Sequence, residues 1–354
     1  MAISIRSAHA PTCRIIKKFL SIETSTHLIM NMKLIESELH KPSSQKNKRM
    51  KTIFLLSFLL LAGSLTAQTL AERLGYKKTD KLLIINNDDA GMCHAANSAT
   101  MEGMEKGLIS SATIMIPCPW SNEIVKYAKE NPEKGFGVHL TLTSEWKNYR
   151  WGTIAPRNDV PGLYDEQGYM WKGVMEVYHA SNTQEALTEG RAQIRKALDA
   201  GVPITHIDSH MGTYQYSPDY MHIYLQLAEE FDLPARMPSQ ATLENMGAPS
   251  FRDLCKEKGI IHPDYFIHEE LEDYKAENLE AFWTNYIKNL QPGVTEIYIH
   301  AATESDEIRA ITGSASKRIK ELDFFTDEKI KQLLEDEGII LISYRPLFEL
   351  QREM

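Results

Sequence analysis

Short apolar runs alternate with longer amphipathic stretches from about residue 80 to the end of the chain. The apolar runs predict strands over residues 81–87, 111–117, 136–143, 203–210, 234–237, 295–301 and 338–344. Apolar positions at helical spacing predict helices over residues 94–107, 122–134, 184–199, 218–231, 276–290 and 315–336. A loop rich in Trp, Gly and Pro separates two of these units, over residues 144–174.

Strands that alternate with helices over this length predict parallel strands joined by helical crossovers. Seven or eight such units are typical of a (β/α) barrel, either complete or distorted. The fold class is therefore predicted to be α/β with a (β/α) barrel-like architecture, and an open doubly wound sheet is the alternative. We find no internal repeat and no domain linker, so residues 68–354 are predicted to form a single catalytic domain.

The first 67 residues follow a different pattern. A positive start at Met50-Lys51, an apolar run and a small-residue ending at Leu65-Thr66-Ala67 are the parts of a secretory signal peptide. The apolar run is shorter than the roughly 20 residues of a membrane span. We therefore predict a signal peptide over 50–67, export to the periplasm or medium, and no stable membrane insertion after cleavage. Residues 1–49 are interpreted as a disordered upstream extension from a misassigned start, and a signal anchor that is never removed is the alternative.

Composition narrows the function further. The net charge of −9 argues against nucleic acid as a partner, because phosphate binding needs a concentrated basic surface. Beyond residue 67 the cysteines are Cys93, Cys118 and Cys255, an odd and sparse set that predicts neither a disulfide framework nor a zinc site. They are expected to be small buried residues. The sequence leaves a homodimer open.

Polar residues that could bind a metal ion or take part in catalysis lie at the ends of the predicted strands, where a barrel or open sheet builds its ligand site. Asp88 and Asp89 close the first strand, and His139 lies within the third. His206, Asp208 and His210 share one face of the fourth strand, because strand side chains alternate with period two. His300 ends the penultimate strand.

Each of these features also has a structural interpretation. An Asp-Asp pair before glycine is often a helix cap or turn, and a lone His139 is more often a core histidine than a ligand. Two adjacent carboxylates repel each other unless a cation binds, and two imidazoles with an oxygen donor suit a divalent ion. The combination therefore predicts a site for one divalent metal ion, Mg²⁺ or Zn²⁺.

Five segments carry a recognisable pattern: LLIINNDDAG, GFGVHLTLT and PITHIDSH, followed by EIYIHAATES and GIILISY in the C-terminal half. Together they resemble the YdjC-like carbohydrate deacetylases, a family that also removes acetyl groups from chitooligosaccharides. The resemblance covers residues 80–348 and implies a barrel-like deacetylase whose substrate is an acetylated mono- or oligosaccharide.

The resemblance also implies roles for individual residues. Asp89, His139 and His210 would be the metal ligands, and Asp88 the base that activates a water molecule at the metal. His300 would be the general acid or a substrate contact, and Arg236 a basic residue of the substrate pocket. His206 and Asp208 would lie behind the metal ligands and support them.

The chain departs from the family pattern after His210. Where the family continues with further histidines, this chain has Met211-Gly212-Thr213-Tyr214-Gln215-Tyr216. Tyrosines in place of imidazoles suggest a different sugar or a different way of stacking on one, and Tyr214 is predicted to contact the substrate.

Other classes of function remain alternatives to the deacetylase. A glycosidase would use Asp88 and Asp208 as a carboxylate pair and would need no metal. A secreted sugar-binding protein would keep the fold without activity. A phosphoester hydrolase would also suit an Asp/His metal site, but the sequence has no glycine-rich phosphate-binding loop.

Overall fold

Parallel strands form the centre of the structure. The computed structural model describes residues 68–267 and 274–354, and within these residues seven strands form one sheet. The strands are β1 (Lys81–Ala90), β2 (Ser111–Ile114), β3 (Gly135–Leu140), β4 (Ile204–Ser209), β5 (Tyr265–Phe266), β6 (Gly293–Ile299) and β7 (Ile339–Leu341). The paired strands run parallel, as the alternation of strands and helices predicts.

The sheet curls towards closure. Its order is β4-β3-β2-β1-β6-β5, and β7 pairs with the first residues of β1. Beyond β4, Ala235 forms a parallel bridge with Ile207, and the Ala235 amide donates to the carbonyl of Ile261 at 3.0 Å. Main-chain hydrogen bonds therefore continue from β4 towards β5, which begins four residues after Ile261. The architecture is a distorted (β/α) barrel flanked by helices, which confirms the predicted fold class.

Strand β1 shows how the sequence places a polar site at one end of an apolar sheet. Its side chains alternate between two faces. Leu82 and Ile84 pack in one buried cluster, together with Tyr344. On the same face, Asn86 and Asp88 follow at the next two positions and are buried as well. The face is therefore apolar at the start of the strand and polar at its carboxyl end, where ligand sites of α/β sheets lie.

Thirteen helices surround the sheet in the described part of the chain. They are α1 (Leu70–Arg73), α2 (His94–Glu105), α3 (Ser121–Glu130), α4 (Val174–Ala180), α5 (Thr183–Asp199), α6 (Pro218–Phe231), α7 (Gln240–Asn245), α8 (Phe251–Lys258), α9 (Leu279–Lys288), α10 (Asp306–Ile311), α11 (Ala315–Phe325), α12 (Glu328–Asp336) and α13 (Arg345–Arg352). The predicted helix over 315–336 is two helices, because the Asp327 side chain accepts the amide of Lys329 and begins α12. Sequence periodicity missed the shortest helices, which span too few turns to show it.

The predicted loop over 144–174 is largely irregular, and a buried carboxylate holds its middle in place. Glu189 on α5 accepts hydrogen bonds from the amides of Ile154 and Ala155 and from the side chain of Gln193. Burial raises the pKa of Glu189 to about 7. The loop therefore packs against the body of the protein instead of extending from it.

Several predictions concern the start of the chain. The upstream extension over 1–49 and the signal peptide over 50–67 lie outside the described residues. Within residues 68–267 and 274–354, no helix combines the length and apolar character needed to cross a membrane. Cys93, Cys118 and Cys255 are free and buried, as predicted.

Candidate active site

The end of β1 brings two adjacent carboxylates into one cavity. Neighbouring strand residues normally point to opposite faces, so Asp88 and Asp89 would be expected to diverge. Asp89 instead has a left-handed backbone conformation, with φ at 62°, and the β1–β2 register shifts between Asn87 and Ala90. Both carboxylates therefore line the same cavity. The pair is not a helix cap, since the N-cap residue of α2 is Cys93, but Asp89 does begin a turn in which its carbonyl accepts the amide of Met92 at 3.0 Å.

Three donor atoms form a triangle beside Asp88. Asp89 Oδ1, His139 Nε2 and His210 Nδ1 each lie 3.3 Å from the other two. Two ligands of a tetrahedral ion at about 2.0 to 2.1 Å lie about 3.3 to 3.4 Å apart. Asp89 Oδ1 is also buried without a hydrogen-bond partner among the described residues. A divalent cation would satisfy this oxygen, so the residues that the sequence suggested as ligands fit a metal ion.

The second nitrogen of each imidazole contacts a carboxylate. His139 Nδ1 lies 2.7 Å from Asp208 Oδ1, and His210 Nε2 lies 3.0 Å from Glu145 Oε2. Metal-binding histidines usually have such a partner, which fixes the tautomer and the orientation of the ring. Burial alone would lower the pKa of both imidazoles, but Asp208 raises that of His139 to about 10 and Glu145 raises that of His210 to about 9. The cluster therefore favours positive charge at the site.

A second group of donors shares His139 but is less suited to a metal. Oxygen atoms of Asp88 and Asp208 lie within 4.8 Å of His139 and of each other. However, Arg236 Nη1 is 2.7 Å from Asp88 Oδ2 and 3.0 Å from Asp208 Oδ2. A metal ion bound there would lie against the guanidinium charge. The geometry therefore favours the cluster of Asp89, His139 and His210.

Asp88 is held by hydrogen bonds on both oxygens. Arg236 donates from Nη1 to Oδ2 at 2.7 Å and from Nη2 to Oδ1 at 2.8 Å, and Asn86 Nδ2 donates to Oδ1 at 2.8 Å. Burial alone would raise the pKa of Asp88, but the Arg236 guanidinium lowers it to about 2. Because a carboxylate has about four acceptor positions, one position on Oδ2 remains without a donor among the described residues. Asp88 is therefore an oriented carboxylate, which is the form that a general base requires.

Arg236 lines the cavity, where the sequence suggested a substrate-pocket residue. Its guanidinium carbon lies 5.1 Å from the ring centroids of both Phe266 and Tyr298. Besides Asp88, it pairs with Glu296 at 2.8 Å. Its charge is therefore directed to carboxylates of the protein, and a direct substrate contact stays a prediction. The Glu296 partner was missed, although an ionisable residue within a predicted strand is a usable signal.

His300 follows β6 directly and lines the cavity. Its Nε2 lies 4.0 Å from Asp89 Oδ2, and a quarter of its side chain is exposed, at 25%. Burial lowers the pKa of His300. A neutral imidazole suits a contact to substrate, and the role of general acid stays a prediction.

Helix α11 contributes two residues that sequence reasoning missed. Arg318 Nη2 donates to Asp89 Oδ2 at 2.7 Å. Glu321 accepts the amide of His300 at 2.8 Å. The two residues lie three positions apart and therefore share one helix face. This face fixes one oxygen of the predicted metal ligand Asp89 and the backbone of His300.

The remaining predicted site residues lie at different depths. His206 Nε2 is 3.2 Å from Asn86 Oδ1, and its ring stacks on Tyr344 at 3.7 Å. His206 therefore supports Asn86, which in turn donates to Asp88. Tyr214 is fully buried and donates its hydroxyl to the Ala186 carbonyl at 2.7 Å. The structure thus does not place Tyr214 where the predicted substrate contact requires it.

The cavity above these residues has a volume of about 710 Å³. Sites for drug-sized ligands span about 300 to 1,000 Å³. Its polar floor consists of the residues described above, whereas much of its wall is aromatic or carries thioethers. Members of this wall are Trp146, Met175, Tyr178, Met211, Tyr216 and Tyr298. A ligand with both polar groups and apolar faces fits such a lining.

Comparison with known proteins identifies the family. The profile of the YdjC-like proteins matches residues 82–336. The chain belongs to the YdjC-like family.

Individual relatives agree with this assignment. A carbohydrate deacetylase of Thermoanaerobacter pseudethanolicus is 29% identical, over 75% of this chain and 98% of the relative. A carbohydrate deacetylase of Brevibacillus brevis is 30% identical, over 75% of this chain and 99% of the relative. A crystal structure from Enterococcus faecalis V583, described as that of a candidate cellobiose-phosphate cleavage protein, superimposes with a TM-score of 0.65. That protein is 28% identical, over 76% of this chain and 99% of its own.

Glu145 offers a first test of the metal site in this YdjC-like chain. Glu145→Gln removes the charge that orients His210 while keeping the size of the side chain. We expect metal affinity to fall by about 10- to 100-fold, as for other partners of metal-bound histidines. Isothermal titration calorimetry of the chelator-treated protein with Zn²⁺ and with Mg²⁺ measures this change.

A matched control is available on the surface. Glu123 contacts the ring of His94 at 2.9 Å, in an exposed pair that does not line the cavity. Glu123→Gln should leave the affinity unchanged. Equal affinities of the Glu145→Gln variant and the unchanged protein would show that Glu145 does not position His210.

Proposed function

We propose that this YdjC-like protein is a metal-dependent hydrolase that removes acetyl groups from N-acetylated sugars or oligosaccharides. The relatives named carbohydrate deacetylases support the reaction class. The observation that carries the proposal is Asp89 Oδ1, which has no hydrogen-bond partner among the described residues and lies 3.3 Å from a nitrogen of both His139 and His210. Beside it lies Asp88, an ionised carboxylate with a free acceptor position. These groups are the parts that metal-assisted amide hydrolysis needs.

The mechanism assigns a separate task to each group. Asp89, His139 and His210 would hold a Zn²⁺ or Mg²⁺ ion, whose chemistry is polarisation of the acetamide carbonyl and activation of water. Asp88 accepts the proton of the attacking water through its free Oδ2 position. Arg236 and Asn86 keep that carboxylate in place during the transfer. His300 would contact the substrate and act as the acid for the leaving amine; because burial keeps it neutral at rest, it must first take up the proton that Asp88 accepts from water.

The arrangement of carboxylates disfavours the glycosidase alternative. A glycosidase places its two carboxyl groups about 5 to 9.5 Å apart with the glycosidic bond between them. Here Asp88 and Asp208 both contact the same nitrogen of Arg236, at 2.7 and 3.0 Å. Asp208 is fully buried and also accepts from Thr113 at 2.8 Å. The guanidinium thus occupies the position that the sugar would need.

We also propose that the protein acts after export, guided by the signal peptide over 50–67. The support is the sequence pattern alone: a short positive start, an apolar run and a small-residue ending. The substrate would then be an acetylated saccharide outside the cytoplasm. Cell fractionation of the full chain with detection of the processed form tests this proposal.

Acetate release tests the proposed reaction. The purified chain is incubated with a panel of N- and O-acetylated mono- and oligosaccharides, and acetate is assayed enzymatically. We expect release from N-acetylated members, loss of release after chelation, and recovery on adding back one of Zn²⁺ and Mg²⁺. The chemistry of the ion provides several kcal/mol of transition-state stabilisation, so chelation should lower turnover by at least about 10³-fold.

Two results would contradict this proposal. Release of reducing ends without acetate, unaffected by chelator, would indicate a glycosidase. Binding of saccharides without any acetate release would indicate a sugar-binding protein that keeps the fold. Reducing ends are assayed in the same incubations as acetate, and saccharide binding is measured by a separate titration of the same protein.

A further inference from the structure

Three large apolar side chains are exposed together at the mouth of the cavity. Met175, Met211 and Tyr216 are 58%, 42% and 47% exposed. They are three of the nine large hydrophobic residues that are exposed in the described part of the chain, and all three line this cavity. Single exposed apolar residues are ordinary, but a group of them beside a polar site indicates a binding surface. We call these three residues the rim.

The backbone beside His210 is shaped to present two of the rim residues. Met211 has a left-handed conformation, with φ at 51° and ψ at 20°, which is uncommon for a residue with a long side chain. Gly212 follows with φ at 63°, and a Cβ atom there would lie 2.4 Å from the ring of Tyr216. A left-handed non-glycine residue costs of order 1 kcal/mol or more and is often found at functional sites. The turn therefore holds Met211 and Tyr216 over the cavity at an energetic cost.

We propose that the rim binds the face of a ring joined to the acetamido sugar, and reads its apolar area instead of its hydroxyl pattern. The proposal rests on the proposed deacetylase function. Tyrosine stacks on apolar ring faces, and methionine thioethers adapt to surfaces of different shape. Met175 and Met211 carry no hydrogen-bond donor and only a weakly accepting sulfur, so they discriminate poorly between hydroxyl groups.

The position of the rim identifies its occupant. The rim continues the same cavity whose floor holds Asp89 and His210, so a molecule that reaches the floor extends directly past it. A cavity of about 710 Å³ belongs to the size class of sites for drug-sized ligands, which includes disaccharides. The occupant is therefore the second unit of the substrate itself.

Three probes that each carry one N-acetyl group test this proposal. They are the methyl β-glycoside of N-acetylglucosamine, its p-nitrophenyl β-glycoside, and the disaccharide in which it is β-linked to glucose. We expect kcat/KM for acetate release to be about 2- to 12-fold higher for the two probes with a second ring than for the methyl glycoside. The two-ring probes should agree with each other within about threefold. One stacked ring is worth about 0.5 to 1.5 kcal/mol, which corresponds to about 2- to 12-fold.

Variants of the rim locate the effect. Tyr216→Ala and Met211→Ala should lower the ratio of kcat/KM between the two-ring probes and the methyl glycoside towards one, while metal content stays unchanged. Tyr216→Phe keeps the stacking ring and should keep the preference. The matched controls are Tyr169→Ala and Leu198→Ala, which remove side chains of similar exposure, 40% and 45%, outside the cavity lining.

The outcomes separate this proposal from the proposed function. Equal kcat/KM for all three probes, or an unchanged preference in Tyr216→Ala, would overturn the rim proposal and leave the deacetylase intact. If no probe releases acetate, the proposed function fails for this sugar, and the binding constants of the chelated protein decide about the rim. Tighter binding of the two-ring probes that is lost in Tyr216→Ala would then support the rim proposal, and equal binding constants for all three probes would overturn it.

Discussion

Asp89→Ala is expected to release the metal ion and to lower kcat/KM by at least about 10³-fold, because it removes the ligand that closes the triangle with His139 and His210. Its Oδ1 lies 3.3 Å from a nitrogen of each imidazole and has no hydrogen-bond partner among the described residues. Its Oδ2 pairs with Arg318 at 2.7 Å. Elemental analysis of the purified variant should therefore find less than about one tenth of the metal bound by the unchanged protein, because losing a ligand should cost at least the roughly 10- to 100-fold in affinity that losing a ligand's partner costs.

Stability must be separated from metal binding in this test. Removing Asp89 leaves the nearly buried Arg318 without its carboxylate, and a broken buried pair costs about 3 to 5 kcal/mol. Asp89→Asn keeps an oxygen for Arg318 but turns a neutral NH₂ group towards the imidazoles, so it should fold better and still lose metal. Asp165→Ala is the matched control. Asp165 forms an ion pair with Arg150 at 2.8 Å, and neither residue lines the cavity. Full metal occupancy in both Asp89 variants, measured on folded protein, would remove Asp89 from the ligand set.

The sequence predicts the metal ligands because each lies beside a strong local pattern. Asp89 ends a buried apolar run, and His139 and His210 follow or lie within strands whose alternation is visible. The carboxyl ends of parallel strands meet at one edge of the barrel, so the convergence of the three residues can be predicted from the strands alone, without the loop structure. The sequence pattern could not show that Asp89 departs from the alternation of side chains along the strand. The left-handed backbone at this residue is what turns both carboxylates into one cavity.

The residues that surround the ligands could not be predicted in the same way. Arg318 lies 229 positions from Asp89 in sequence and reaches it only because α11 packs over the end of β1. Glu145 lies in an irregular loop, where no periodicity fixes the direction of a side chain. Arg236 follows a segment with a single isolated bridge, so its approach to three carboxylates depends on tertiary packing. Local patterns therefore locate strand-borne ligands, and the packing of helices and loops decides their partners.

Asp88→Asn is expected to keep the metal and to lower kcat by about 10² to 10⁴-fold, the usual contribution of a general base. The carboxylate is ionised because Arg236 lowers its pKa to about 2. Asn86 and Arg236 occupy three of its acceptor positions, which leaves one on Oδ2 without a donor among the described residues. An amide has no proton-accepting oxygen of comparable basicity. Steady-state kinetics of acetate release, together with elemental analysis of the same sample, measures the two quantities.

The ion pair between Asp88 and Arg236 makes a second variant necessary. An Asn side chain gives up one of the two hydrogen bonds from Arg236, and a lost bond of this kind costs about 1 to 3 kcal/mol, so thermal unfolding must be recorded for the variant. Asp88→Glu keeps the charge and moves the oxygens by one methylene, so it should bind metal and still lose most of its turnover. A role in metal binding predicts loss of metal in Asp88→Asn, and a role in holding Arg236 alone predicts loss of stability with turnover retained by the folded fraction. Because proton acceptance alone predicts a folded, metal-loaded and slow enzyme, turnover within about threefold of the unchanged protein in folded Asp88→Asn would exclude Asp88 as the base.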